Sequence, residues 1–144
     1  MTDAARHHRV LLDTGPLTAI VAQDEAAHDI CISTLANIEP PLLTCWPVLT
    51  EAAWLLRHDH AAIRTMLRGA ETGFFTLLPL QDDDLQAIDD LFVRYKSLRP
   101  QIADLALLHL AQRESLDTVF TLDRRDFMVF RVQRRKPLRL LPEA

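Results

Sequence analysis

HRVLLD at residues 8–13, followed at once by Thr14-Gly15-Pro16, is the stretch that decides the fold. A short apolar run ending in an acid and a turn signal predicts a buried strand. Pro16 then suits the first turn of a helix over 17–21. The same alternation continues outward from it. Asp24 is a good N-cap for a helix reaching about residue 37. LLTCW at 42–46 has strand composition, and Pro47 opens a helix over 48–57, with another over 60–70. FFTLLPL at 74–80 is a third strand. Asp82-Asp83-Asp84 marks a helix start, where acids favour the helix dipole, and that helix runs to about residue 97. Pro100 introduces a helix over 102–115, TVFTL at 118–122 is a fourth strand, and 138–141 fits a short last one. Strands alternating with helices need crossover connections, which implies a parallel sheet covered on both faces. With no repeats, linkers or low-complexity tracts, one α/β domain over 1–144 is expected.

Composition agrees. The chain has 144 residues, 49% apolar and 25% charged, an ordinary globular balance with enough length for one core. No apolar run approaches the roughly 18 residues of a membrane span. The polar residues 1–9 lack the apolar centre of a signal peptide, so a cytoplasmic protein is expected, with no membrane association. Cys31 and Cys45 stand apart, unlike zinc or redox pairs, and fit core positions. Three glycines are few for an all-β chain rich in tight turns.

Net charge is −4, but its distribution is uneven: residues 1–112 hold 8 Lys/Arg against 15 Asp/Glu, and 113–144 hold 8 against 5. The basic stretch Arg131, Arg134, Arg135, Lys136 and Arg139 fits a solvated face and leaves a phosphate-binding surface open.

Open parallel sheets place active sites outside the carboxyl ends of their strands. Asp13 follows the first strand and Asp123 the fourth, where turn or cap roles are the plain alternative. Glu51 shares a stripe with Val48, Ala52, Leu55 and Leu56, and Asp104 shares one with Leu108 and Ala111, though its place in the first turn also suits N-terminal capping. Acids on an apolar face are costly without a counter-charge or a metal. Four of them at one sheet edge repel, and a hard divalent cation removes that penalty while leaving room for phosphate oxygens. Phosphodiester hydrolysis is the chemistry this pattern suits best.

The strand into Asp13 (LLDTGPL), TEAAWLL around Glu51, ADLALLHLA around Asp104 and TLDRRDF after the fourth strand together resemble the PIN-domain nucleases. The chain's length most resembles the single-domain VapC-type toxins of toxin–antitoxin pairs. The resemblance implies a three-layer α/β/α sandwich with a central parallel sheet of four to five strands. It implies an Mg²⁺- or Mn²⁺-dependent ribonuclease that forms no covalent intermediate, an RNA substrate, a cognate antitoxin and a homodimer. Asp13 and Asp104 would be the principal metal ligands. Glu51 would assist the metal or take the proton of the attacking water, and Asp123 would hold a second or transient metal. Thr14 and Thr121 would orient metal-bound waters, with turn and strand packing explaining them as well. Gln101 departs from the pattern, because many relatives carry a further acid there; Asp126 is a compensating acid or a surface residue.

Two rival readings have definite consequences. Asp13-Thr14-Gly15 also resembles the aspartic-protease motif, which demands a nearly all-β chain. A PIN-like module without catalysis, serving as an RNA-binding or scaffold protein, would have no reason to keep four repelling acids. His58 and His60 fit a solvated segment, His109 a partly buried packing position, and His7 and His8 a frayed terminus. Trp46 and Trp54 fit core positions rather than a base-stacking platform.

Overall fold

The computed structural model describes residues 6–143; residues 1–5, which carry part of the leader-free reading, and residue 144 lie outside the described residues. The elements run β1 (Leu11–Leu12), α1 (Thr14–Val21), α2 (His28–Leu35), β2 (Leu42–Thr44), α3 (Trp46–Leu55), α4 (His60–Leu67), β3 (Phe75–Leu77) and α5 (Asp84–Arg94). They continue with α6 (Ile102–Arg113), β4 (Thr118–Phe120), α7 (Arg124–Phe127), β5 (Arg131–Val132), β6 (Lys136–Pro137) and β7 (Arg139–Leu141).

Five strands form one parallel sheet in the order β3-β2-β1-β4-β7. Crossovers step one way from β1 through β2 to β3, then the other way to β4 and β7. Since such crossovers are right-handed, α1 to α4 cover one face and α5 and α6 the other. The order reverses between β1 and β4, which leaves a crevice beyond their carboxyl ends. The architecture is the expected α/β/α sandwich, and its parallel sheet excludes the all-β protease reading.

The core is contiguous: Leu11, Leu12, Leu42, Val119 and Phe120 of the sheet pack with Leu17, Val48, Met66, Leu105 and Leu107 of the helices. Cys31 and Cys45 are buried within it as expected. Helix α6 is buried on nearly all sides from Ala103 to Ala111, so the sandwich encloses it. His109 is buried there for a reason beyond packing: its Nε2 lies 2.7 Å from Asp84 Oδ1. A backbone N–H from Gln81, then His109 and Arg113, hold the Asp84 carboxyl down at about 2.

Several expectations are corrected. Helix α2 starts at His28 with Ala27 at the N-cap, not at Asp24. A turn occupies the intervening residues, and His28 Nδ1 reaches the Ala19 carbonyl at 2.6 Å. His7 is not frayed: it forms a parallel bridge with Ile38, its N–H donating to Asn37 and its carbonyl accepting from Glu39. Trp46 and Trp54 are 63% and 65% exposed, and Leu55 lies outside the buried stripe at 55%. Helix α3 buries only Val48, Leu49 and Ala52, so its remaining faces point outward. The basic stretch forms an unforeseen antiparallel pair, β5 with β6, ahead of β7.

Candidate active site

Each expected acid is delivered by a different element to the crevice between β1 and β4. Asp13 follows β1 and occupies the N-cap position of α1, yet its side chain makes no cap hydrogen bond. Its backbone N–H donates to the Phe120 carbonyl of β4 at 3.0 Å, which fixes it at the strand-order reversal. Thr121 Oγ1 donates to Asp13 Oδ2 at 2.7 Å and accepts from the Asp123 N–H at 2.9 Å. One hydroxyl therefore joins two acids. Glu51, half-buried on α3, accepts from Thr14 Oγ1 at 3.3 Å. Asp104 enters from the first turn of α6.

Asp126 completes the group. Asp123 caps α7 by accepting from the Asp126 N–H, and the three-residue spacing brings both carboxyls to one side. Carboxylate oxygens of Asp104, Asp123 and Asp126 lie within 4.8 Å of one another. Asp126 is thus largely buried and lines the same cavity as the expected acids. Its position three residues after an N-cap acid was the signal available in the sequence.

A cavity of about 420 Å³ contains all five acids, together with Thr14, Gly15, Leu55, Gln101, Leu122 and Arg99. A larger cleft of about 570 Å³ lies between α1, α2 and α4, but no acid lines it. The expected acids all line the smaller one.

Burial and mutual repulsion shape the electrostatics. Burial pushes the Asp13 carboxyl up to about 6 against the lowering effect of Thr121 and the Thr14 backbone, with Glu51 and Asp123 adding to the rise. Asp104 is pushed up to about 8, first by burial and then by the charges of Asp13, Asp123 and Glu51. Asp126 is raised by burial and by Asp123. Asp13 Oδ1 is buried without any hydrogen-bond partner among the described residues. Such an orphan oxygen costs about 1–3 kcal/mol unless something satisfies it. An oxygen-rich, mutually repelling donor set with a buried vacant lone pair fits a hard divalent cation.

The fold has a solved counterpart. The structure resembles that of VapC20, a sarcin-ricin-loop-cleaving toxin of Mycobacterium tuberculosis, with a TM-score of 0.73. The match covers 81% of this chain and 91% of that one at 15% sequence identity. No family model matches the chain, and no curated protein matches it in sequence. The chain thus shares the fold of that toxin.

Proposed function

We propose that this chain, one nuclease domain over 1–144, is a divalent-metal-dependent ribonuclease and the toxin of a toxin–antitoxin pair. The observation that carries this reading is the convergence of Asp13, Glu51, Asp104, Asp123 and Asp126 on one cavity of the PIN fold. Asp104, Asp123 and Asp126, whose carboxylate oxygens lie within 4.8 Å of one another, would hold Mg²⁺ or Mn²⁺, with Asp13 lining the same cavity. The bound cation supplies Lewis-acid stabilisation of the phosphate and makes water acidic enough to attack near neutral pH. Glu51, steadied by Thr14, takes the proton of the attacking water as the phosphorus–oxygen bond to the leaving ribose breaks. Leu55 and Leu122 line the cavity beside the acids.

The test is cleavage of structured RNA with Mg²⁺, with Mn²⁺ and with chelator. Asp13→Asn and Asp104→Asn should each lower the rate by orders of magnitude and stay folded, while exposed Asp90→Asn changes nothing. Full activity in chelator, or in folded Asp104→Asn, removes this acid cluster from the chemistry. An inactive RNA-binding module is the second reading, and it predicts RNA binding without metal-dependent cutting.

The toxin role adds partners. Among the described residues no helix is long and apolar enough to cross a membrane, and the proposed site of action is the cytoplasm. A cognate antitoxin would present Arg or Lys to the carboxylates and compete with the cation. Expression alone should slow growth, and co-expression should restore it. A homodimer is part of the same reading, with exposed Trp46, Trp54, Leu55 and Leu67 as its candidate surface. Sedimentation showing only monomer at tens of micromolar, roughly ten times a typical micromolar affinity, would count against it.

A further inference from the structure

A cavity lined by five carboxylates repels the phosphates it is meant to cut, so something must hold RNA there besides the cation. Arg99 is the one cation among the described residues lining that cavity. It is exposed, and its guanidinium forms no ion pair or hydrogen bond among the described residues, although acids stand around it.

Its backbone makes its presence more telling. Arg99 ends a short 3-10 turn over Lys96–Leu98, with its N–H donating to Lys96, and adopts φ 52°, ψ 52°. Buried Pro100 follows and disfavours a right-handed helical conformation at position 99. Left-handed backbone suits glycine and strains a residue with a Cβ. No hydrogen bond or ion pair of the guanidinium among the described residues offsets that strain. From Pro100 the chain passes through Gln101 directly into α6, which carries Asp104. Arg99 thus stands five residues before Asp104 on the segment leading into α6, the base exposed and the acid buried.

We infer that Arg99 is the substrate anchor of this site, its guanidinium binding a phosphate of the RNA strand next to the one that is cut. The inference rests on the ribonuclease reading for its ligand. A guanidinium offers two parallel N–H donors that match phosphate oxygens, and here it acts where carboxylates alone would expel them.

Arg99→Gly and Arg99→Lys separate this role from a structural one. Binding of a fluorescein-labelled single-stranded RNA is measured in chelator, where nothing is cut. The glycine variant should bind about ten-fold more weakly, with the salt dependence of log K shallower by about 0.7. The lysine variant, which keeps the charge but loses the fork, should fall between. The glycine variant should melt no lower than the parent, because the strain is gone, and should bind Mn²⁺ at least as tightly. Equal RNA affinity in the glycine variant, a lowered melting temperature, or no RNA binding by the parent overturns the inference. Metal-dependent cutting that Asp104→Asn abolishes but Arg99→Gly leaves intact sinks the anchor and spares the ribonuclease. RNA held through Arg99 but never cut with any metal does the reverse.

Discussion

Thr121 and Asp13 lie 108 positions apart in sequence and are joined by a 2.7 Å hydrogen bond at the carboxyl ends of β4 and β1. The bond satisfies Oδ2 and leaves Oδ1 as the vacant, buried oxygen. Thr121 thereby fixes which Asp13 oxygen is bonded, and its own oxygen accepts from the Asp123 N–H.

Thr121→Val keeps the shape of a fully buried side chain and deletes the hydroxyl. Two polar groups lose their partner, so stability should fall by about 1–3 kcal/mol. Asp13 also loses a hydrogen bond that favours its charged form, so its carboxyl should titrate higher than about 6. Calorimetric Mn²⁺ titration should show weaker binding at pH 6, with the difference shrinking at higher pH. Unchanged metal affinity across that range would mean Thr121 serves packing alone.

Asp126→Asn tests the membership of the acid that sequence left undecided. Its carboxylate lies within 4.8 Å of those of Asp104 and Asp123, so the amide should weaken Mn²⁺ binding by roughly ten-fold or more. The backbone N–H that Asp123 accepts from is retained, so α7 should persist by circular dichroism. Wild-type affinity in this variant would return Asp126 to the surface role.

Much of this was legible because the deciding signals are local. Apolar runs closed by Thr14-Gly15-Pro16 or Trp46-Pro47 mark strand ends and helix starts whatever the tertiary context. Glu51 and Asp104 stood out because helical spacing put charge on an apolar stripe. The failures are all positions decided by distant contacts. Nothing local says that Trp46 and Trp54 stay outside, since burial depends on which helices cover α3. His7 was tied down by a bridge to Ile38, and Arg99 met the acids only through the turn before α6. Asp24 is a sound cap by residue type, yet the chain spent residues 22–27 on a turn instead.

Gly69 offers a test of the packing under α4 and β3. A Cβ there would stand 2.2 Å from Phe75 Cε1 and 2.8 Å from Phe75 Cδ1. Phe75 is only 2% exposed, so its ring must shift within packed surroundings to admit the new carbon. Gly69→Ala should therefore cost about 1–3 kcal/mol as overpacking, lowering the melting temperature by on the order of 5 °C. Metal binding should be unaffected, because neither residue lines the acid cavity. A melting temperature equal to the parent's would show that the ring can swing away.

The acid cluster should also set how metal-free stability varies with pH. Burial and mutual repulsion hold the folded Asp13 and Asp104 carboxyls up at about 6 and about 8, both above the ordinary aspartate value of 3.8. The folded chain then holds more protons than the unfolded one between about pH 4 and 8. Stability contributed by the two carboxyls is fully present below pH 4 and is lost as pH rises through 6 and then 8. Asp84, lowered to about 2, acts in the opposite sense but only below pH 4, outside this window. Melting temperature in chelator should therefore fall steadily from pH 5 to pH 8.5, and saturating Mg²⁺ or Mn²⁺ should restore it most at the alkaline end. Asp104→Asn should remove the upper part of the decline, between about pH 6 and 8, and raise the melting temperature at pH 8. Scanning calorimetry of the parent and of this variant, with and without chelator, reads all of it. A metal-free profile that is flat or rises over this range would show that the two carboxyls are not strained by burial and mutual repulsion, and that the cavity does not need a cation to relieve it.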